Sequence, residues 1–173
     1  MNDLLDLHAG HWKLHVLPSR AYEQLLIICA QLAEHIPLII LDCNRRYDPS
    51  IVVQAARGRI EITDRIQSQR AFICYEVAKL LQRTPTSNTP ILVLDMLATF
   101  YDENVQMKLR RFLLENSIFH LQRLSSRTAV AVFVQPPPVQ SDSYCLFEHL
   151  QSAAPKVSTF ANEKTDSIQL ELF

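Results

Sequence analysis

Three uninterrupted apolar runs constrain this chain more than anything else in it: PLIILD at residues 37–42, ILVLD at 91–95 and AVAVFV at 129–134. A strand with one wet face alternates apolar and polar residues, whereas a strand covered on both faces reads as a continuous apolar run. Covering both faces takes helices, and the segments between the runs have helical length and pattern. Strands alternating with helices imply right-handed crossovers and an α/β fold, with a mostly parallel central sheet flanked by helices. With 173 residues, 48% of them hydrophobic, the chain suits one domain with a sizeable core.

Residues 13–17 read as a first strand, and Pro18 and Ser19 supply a turn and N-cap for a helix over about 20–35. After the 37–42 strand come a short helix at 51–57 stopped by Gly58, a brief strand at 59–63 and a helix over about 64–82. The 91–95 strand leads to a long helix over about 104–125 and the 129–134 strand. The prolines of QPPPVQSDS (135–143) remove backbone donors and make it a loop. A helix at 144–153 and a strand at 156–160 complete the fold, which spans 1–160. A polar linker and a short tail fill 161–173.

Seventeen Lys and Arg against 18 Asp and Glu give a formal charge of −1 and no overall bias towards nucleic acid or an anionic membrane. The start lacks the pattern of a secretory leader, and no run approaches the roughly 18 apolar residues of a membrane span. A cytoplasmic protein with no membrane contact is expected. Cys29, Cys43, Cys74 and Cys145 show no metal-ligand spacing and read as free thiols, mostly buried. His8, His11 and His15 cluster without a Cys or acidic group beside them, so no metal is expected.

In open parallel sheets, ligands gather at the carboxyl ends of strands, and two strands here end in acids, Asp42 and Asp95. The segments PLIILDCNRRYDPSIV, EITDRIQSQRAFICYEVAKLL, PILVLDMLATFYDENV and TAVAVFVQ resemble, in order and spacing, the ATPase core of the RecA family and its recombinase relatives. The resemblance covers residues 11–160. It implies a single RecA-like domain in which Asp95 ends a Walker-B-like strand. The departures matter as much. A phosphate cradle needs glycines, a Lys and a Ser or Thr, yet the chain has two glycines, Gly10 and Gly58, and neither precedes Lys-Ser or Lys-Thr. LPSRAYEQ stands where the cradle would lie. The family's water-polarising Glu is also missing, since Cys43 and Asn44 follow Asp42. No cofactor, no ATP hydrolysis and no catalytic residue are therefore expected.

Arg45 and Arg46 follow the Asp42 strand, and Lys108, Arg110 and Arg111 lie on the long helix. On one shared face these five would track a phosphate backbone, so they are the candidate DNA contacts. The interleaved carboxylates Glu61, Asp64, Asp102, Glu103 and Glu115 offer the alternative of a solvated, paired surface.

The last five residues, Gln169, Leu170, Glu171, Leu172 and Phe173, are similar to the peptide by which bacterial proteins bind the replication sliding clamp. The similarity implies that Leu170, Leu172 and Phe173 fill apolar pockets while the Gln169 amide gives direction. Average residue usage puts such a match at on the order of one in a million per position. The alternative is a final strand, because Ile168, Leu170 and Leu172 alternate with Gln169 and Glu171. Joined, the two resemblances imply a non-catalytic accessory factor in bacterial DNA repair, translesion synthesis or replication, nucleoid-associated through the clamp. Its core would bind a translesion-polymerase-like or recombinase subunit through an apolar face left by the missing nucleotide site. A recombination mediator acting as a heteromer on DNA, and a divergent nucleotide-dependent ATPase, are the alternatives.

Overall fold

The structure, a computed structural model, describes residues 9–159. The linker and tail expected at 161–173 lie outside the described residues. Strands β1 (Trp12–Val16), β2 (Leu38–Asp42), β3 (Ile66–Arg70), β4 (Ile91–Leu94), β5 (Val130–Val134) and β6 (Lys156–Thr159) form one sheet in the order β3-β2-β4-β5-β1-β6. Every pairing is parallel. Five α-helices connect them: α1 (Tyr22–Ala33), α2 (Pro49–Ala55), α3 (Cys74–Arg83), α4 (Met107–Ser125) and α5 (Tyr144–Ala153).

The continuous apolar runs do what their composition requires. Ile39 and Leu41 of β2, Val93 of β4 and Val132 of β5 point to one side and pack with α3, α4 and α5. Leu38, Ile40, Leu92, Ala131 and Phe133 point to the other and pack with α1 and α2. Connections that step towards β3 lie on the second side and those that step towards β6 on the first, as a single crossover hand demands.

One element departs from the reading of the sequence. Residues 59–63 form no strand; a 3-10 turn spans Ile60–Arg65, β3 follows it, and α3 begins only at Cys74. The alternation of Ile60 and Ile62 resembles a strand, but Ile62 is buried and Ile60 is 67% exposed. The actual strand, IQSQR, hides from a search for apolar runs because it is the sheet edge, and only Ile66 is buried in it. Arg65 fastens the turn by donating from Nη1 to the carbonyls of Ala33 (3.1 Å) and Glu34 (2.6 Å) at the end of α1, and Arg59 pairs with Glu34. Basic groups at helix C-termini satisfy carbonyls the helix leaves open.

Cys29, Cys43 and Cys74 are buried free thiols and Cys145 is half-buried, as expected. Among the described residues no helix is long and apolar enough to cross a membrane.

His15 sits buried on β1 with its ring stacked on Phe133, centroids 4.9 Å apart. Burial, and then the charge of Lys13, lower its pKa from 6.5 to about 3. The folded protein therefore holds it neutral while the unfolded chain takes up a proton below about pH 6.5, so stability falls as pH drops towards about 3. This group contributes a slope of about 1.4 kcal/mol per pH unit in that window. His15→Phe keeps a stacked ring and should flatten the slope between urea melts at about pH 7 and about pH 5. An unaltered slope would assign the acid lability elsewhere.

Candidate functional site

The strand order places switch points at the carboxyl edge of the sheet. β2 and β4 are neighbours whose following helices lie on opposite sides, and so are β5 and β1. Crevices of this kind are where ligands enter open α/β sheets. Residues from all four strand ends meet there.

Asp42, the last residue of β2, is 1% exposed and turns its carboxylate back on its own loop. Oδ1 accepts from the backbone N–H groups of Asn44 (3.2 Å) and Arg46 (2.9 Å), and Oδ2 accepts from Tyr47 N–H (3.1 Å) and Arg70 Nε (3.1 Å). The carboxylate thus fixes the β2 loop and leads Arg46 into the crevice. Asp95 follows β4 at 2% exposure, with a φ of 52° that aspartate tolerates better than most residues. Its Oδ2 accepts from Asn44 Nδ2 (2.8 Å) and from Arg46 Nε (2.9 Å).

Arg46 is the hub. Beyond Asp95 it donates from Nη1 to Ser19 Oγ (3.2 Å) after β1 and from Nη2 to Gln135 Oε1 (3.3 Å) after β5, and its guanidinium lies 4.5 Å from the centroid of the Tyr22 ring. One planar fork thereby joins the loops after β1, β2, β4 and β5. The Gln135 carbonyl accepts from Tyr101 Oη at 2.9 Å. Burial first, then the Asp95 charge, push the hydroxyls of Tyr22 and Tyr101 far above their ordinary pKa, so both stay protonated. The Cys43 thiol rises for the same reasons, burial and then Asp42 and Asp95, and is no nucleophile.

A Mg²⁺-nucleotide does not fit this donor set. Asp95 Oδ2 carries two donors already, both Asp42 oxygens are engaged, and the Arg46 guanidinium puts a positive charge against Asp95. No group of three or more metal-ligating side chains forms among the described residues.

The five candidate DNA-contacting residues do not share a face. Arg46 is in the crevice. Arg110, 4% exposed, donates from Nη1 to the Phe100 carbonyl (3.2 Å) and Ser143 Oγ (2.9 Å), which ties α4 to α5. Arg45, Lys108 and Arg111 stay at the surface, with Arg45 5.4 Å from the centroid of the Phe72 ring. Proximity in sequence groups these five but space does not, and Ser19, Tyr22, Asn44 and Gln135, which carry no sequence motif, join the site instead. Polar side chains, Asn44, Arg46, Asp95 and Gln135, meet in the crevice where the resemblance would put a nucleotide. Gln169, Leu170, Glu171, Leu172 and Phe173 lie outside the described residues.

No protein-family model and no curated protein matches the chain. A solved structure from Pyrococcus horikoshii OT3, studied under the project identifier PH0250, is similar with a TM-score of 0.53 at 12% identity, covering 90% of this chain and 84% of that one. At that identity the likeness shows the fold alone, a single α/β domain.

Arg46→Ala should cost about 3–5 kcal/mol, because it leaves the Asp95 carboxylate buried without a cation. Adding Asp95→Ala should restore part of that loss, while Arg111→Ala at the surface should cost less than about 0.5 kcal/mol. Chemical denaturation of the four proteins checks the order. A single Arg46 variant as stable as the parent would show that the hub is dispensable.

Proposed function

We propose that this chain is a non-catalytic accessory factor in bacterial DNA repair, translesion synthesis or replication, recruited to the sliding clamp by residues 169–173. The observation that carries recruitment is the peptide Gln169-Leu170-Glu171-Leu172-Phe173 behind the polar residues 161–167. Two apolar pockets and one amide-directed site suffice for such a peptide, since few contacts carry most of the energy of a small interface. The core is read as a RecA-like scaffold without phosphoryl-transfer function. Arg46 in the switch-point crevice supports that reading, for it holds by hydrogen bonds and charge the place a nucleotide and its metal would take.

Joining a tethered peptide to a folded domain raises the local concentration of whatever the domain carries at the clamp. Contact with DNA is then mainly indirect. Only Arg45, Lys108 and Arg111 of the five candidate cations remain available for phosphates, too few for tight binding by charge alone.

Titration of a bacterial sliding clamp should show binding by the full chain and its loss, by roughly tenfold or more, in Leu172→Ala with Phe173→Ala. The melting temperature should not move. Lost binding with a lowered melting temperature would mean that 168–172 form a strand of the fold instead. In the same samples, ATP with Mg²⁺ should leave the melting temperature unchanged; a rise that grows with ATP concentration would return the chain to the nucleotide-binding class.

A further inference from the structure

Six of the ten exposed large apolar side chains among the described residues lie on one side of the molecule, on α3, its entry and α4: Phe72, Ile73, Tyr75, Leu109, Phe112 and Phe119. α4 already buries one face against the sheet through Leu114, Leu121 and Leu124, so its outer Phe112 (63% exposed) and Phe119 (61%) have no part in the core. An ordinary surface helix shows polar residues there. The two helices pack side by side, and Arg123 aligns their ends by donating to the carbonyls of Leu81 and Thr84, each at 3.0 Å.

The charge of this side is net positive. Besides buried Arg110 and Arg123, which is held by backbone carbonyls, α3 and α4 present four cations, Lys79, Arg83, Lys108 and Arg111, against two carboxylates, Glu76 and Glu115. The ion pairs join Arg46, Arg59 and Arg70 to acids elsewhere, so these four cations have no carboxylate partner among the described residues. Two cations sit over the exposed rings, Lys79 Nζ at 5.0 Å from the Tyr75 centroid and Arg45 at 5.4 Å from that of Phe72.

We propose that the outer surface of α3 and α4 docks an acidic amphipathic helix of a partner protein. Leu109, Phe112 and Phe119 span eleven residues of helix, about 15 Å, the length over which a docked helix offers anchors at successive turns. Carboxylates flanking those anchors meet the unpaired cations. A second copy using the same surface would bring like charges together. Single-stranded nucleic acid would find cations on two of the rings and, in Ile73 and Leu109, apolar groups that offer no stacking plane. The inference deepens the accessory-factor reading by supplying the surface for its cargo, but it rests on described residues alone and not on the tail.

The test uses the full chain and a fluorescein-labelled synthetic helix several turns long, with Leu and Phe on one face and Glu on the other. Companion probes are a scrambled peptide of the same composition, a version with Lys in place of Glu, and a labelled oligothymidine. Anisotropy should show binding of the acidic helix, weakened roughly tenfold or more by Phe112→Ser with Phe119→Ser. That variant should keep the parent's melting temperature and its affinity for the clamp. Loss of peptide binding with clamp binding intact supports the docking surface, and failed clamp binding with peptide binding intact refutes only the tail. Equal binding of the scrambled or Lys peptide, no binding at all, or indifference to the double substitution would overturn the proposal. So would oligothymidine binding that the variant abolishes, which would make the surface a nucleic-acid platform, or a dimer in sedimentation that the variant dissociates.

Discussion

The carboxylate of Asp95 dictates the arrangement of the sheet's carboxyl edge. It stands at the end of a strand with apolar neighbours on both faces, and at 2% exposure it has almost no water to solvate it. An ionised carboxylate in that position must have a cation and further donors, or the fold loses several kcal/mol. Arg46 and Asn44 meet the demand, and both come from the loop after β2. That loop must therefore follow one path, which Asp42 enforces through three backbone N–H groups and which takes Arg45 to a φ of 52°. The remaining donors of the Arg46 fork then draw in Ser19 and Gln135, so that strands distant in sequence share one polar knot.

Much of the fold was legible because it follows from solvent exclusion. PLIILD, ILVLD and AVAVFV could be strands only if covered on both sides, and they are β2, β4 and β5 in the middle of the sheet. β3 was not legible for the complementary reason: an edge strand has a wet side, and IQSQR carries one buried residue. Asp42 and Asp95 stood out as acids at strand ends. Their partners did not, because hydrogen bonds that span 49 and 89 residues leave no local pattern. Arg46 and Arg110 resembled a surface patch with Arg45 and Arg111, yet adjacent residues of a turn or helix point in different directions. A cation's neighbours in sequence say little about its neighbours in space.

Charge bookkeeping over the whole chain hid a second feature. The formal charge of −1 coexists with four outward cations and two carboxylates on α3 and α4, because the balancing acids lie in other segments. A near-neutral total excludes a globally basic protein, but not a basic surface. Here the basic surface coincides with exposed aromatic and aliphatic side chains, a pairing that neither composition nor hydropathy of the separate helices displays.

Polar knot and exposed patch differ in what they can do for a binding partner. Arg46 has all three guanidinium nitrogens engaged, so drawing it away to a ligand would mean breaking bonds to Asp95, Ser19 and Gln135. Lys108, Arg111 and the outer phenylalanines of α4 have few such ties, and a partner meets them without disrupting the core. Replacing a buried ion pair by apolar groups of similar volume is often neutral for stability, so the knot is not explained by stability alone. What an apolar plug could not do is hold four loops by directional bonds at set distances. The knot holds the crest in one shape, whereas the surfaces outside it have few such ties.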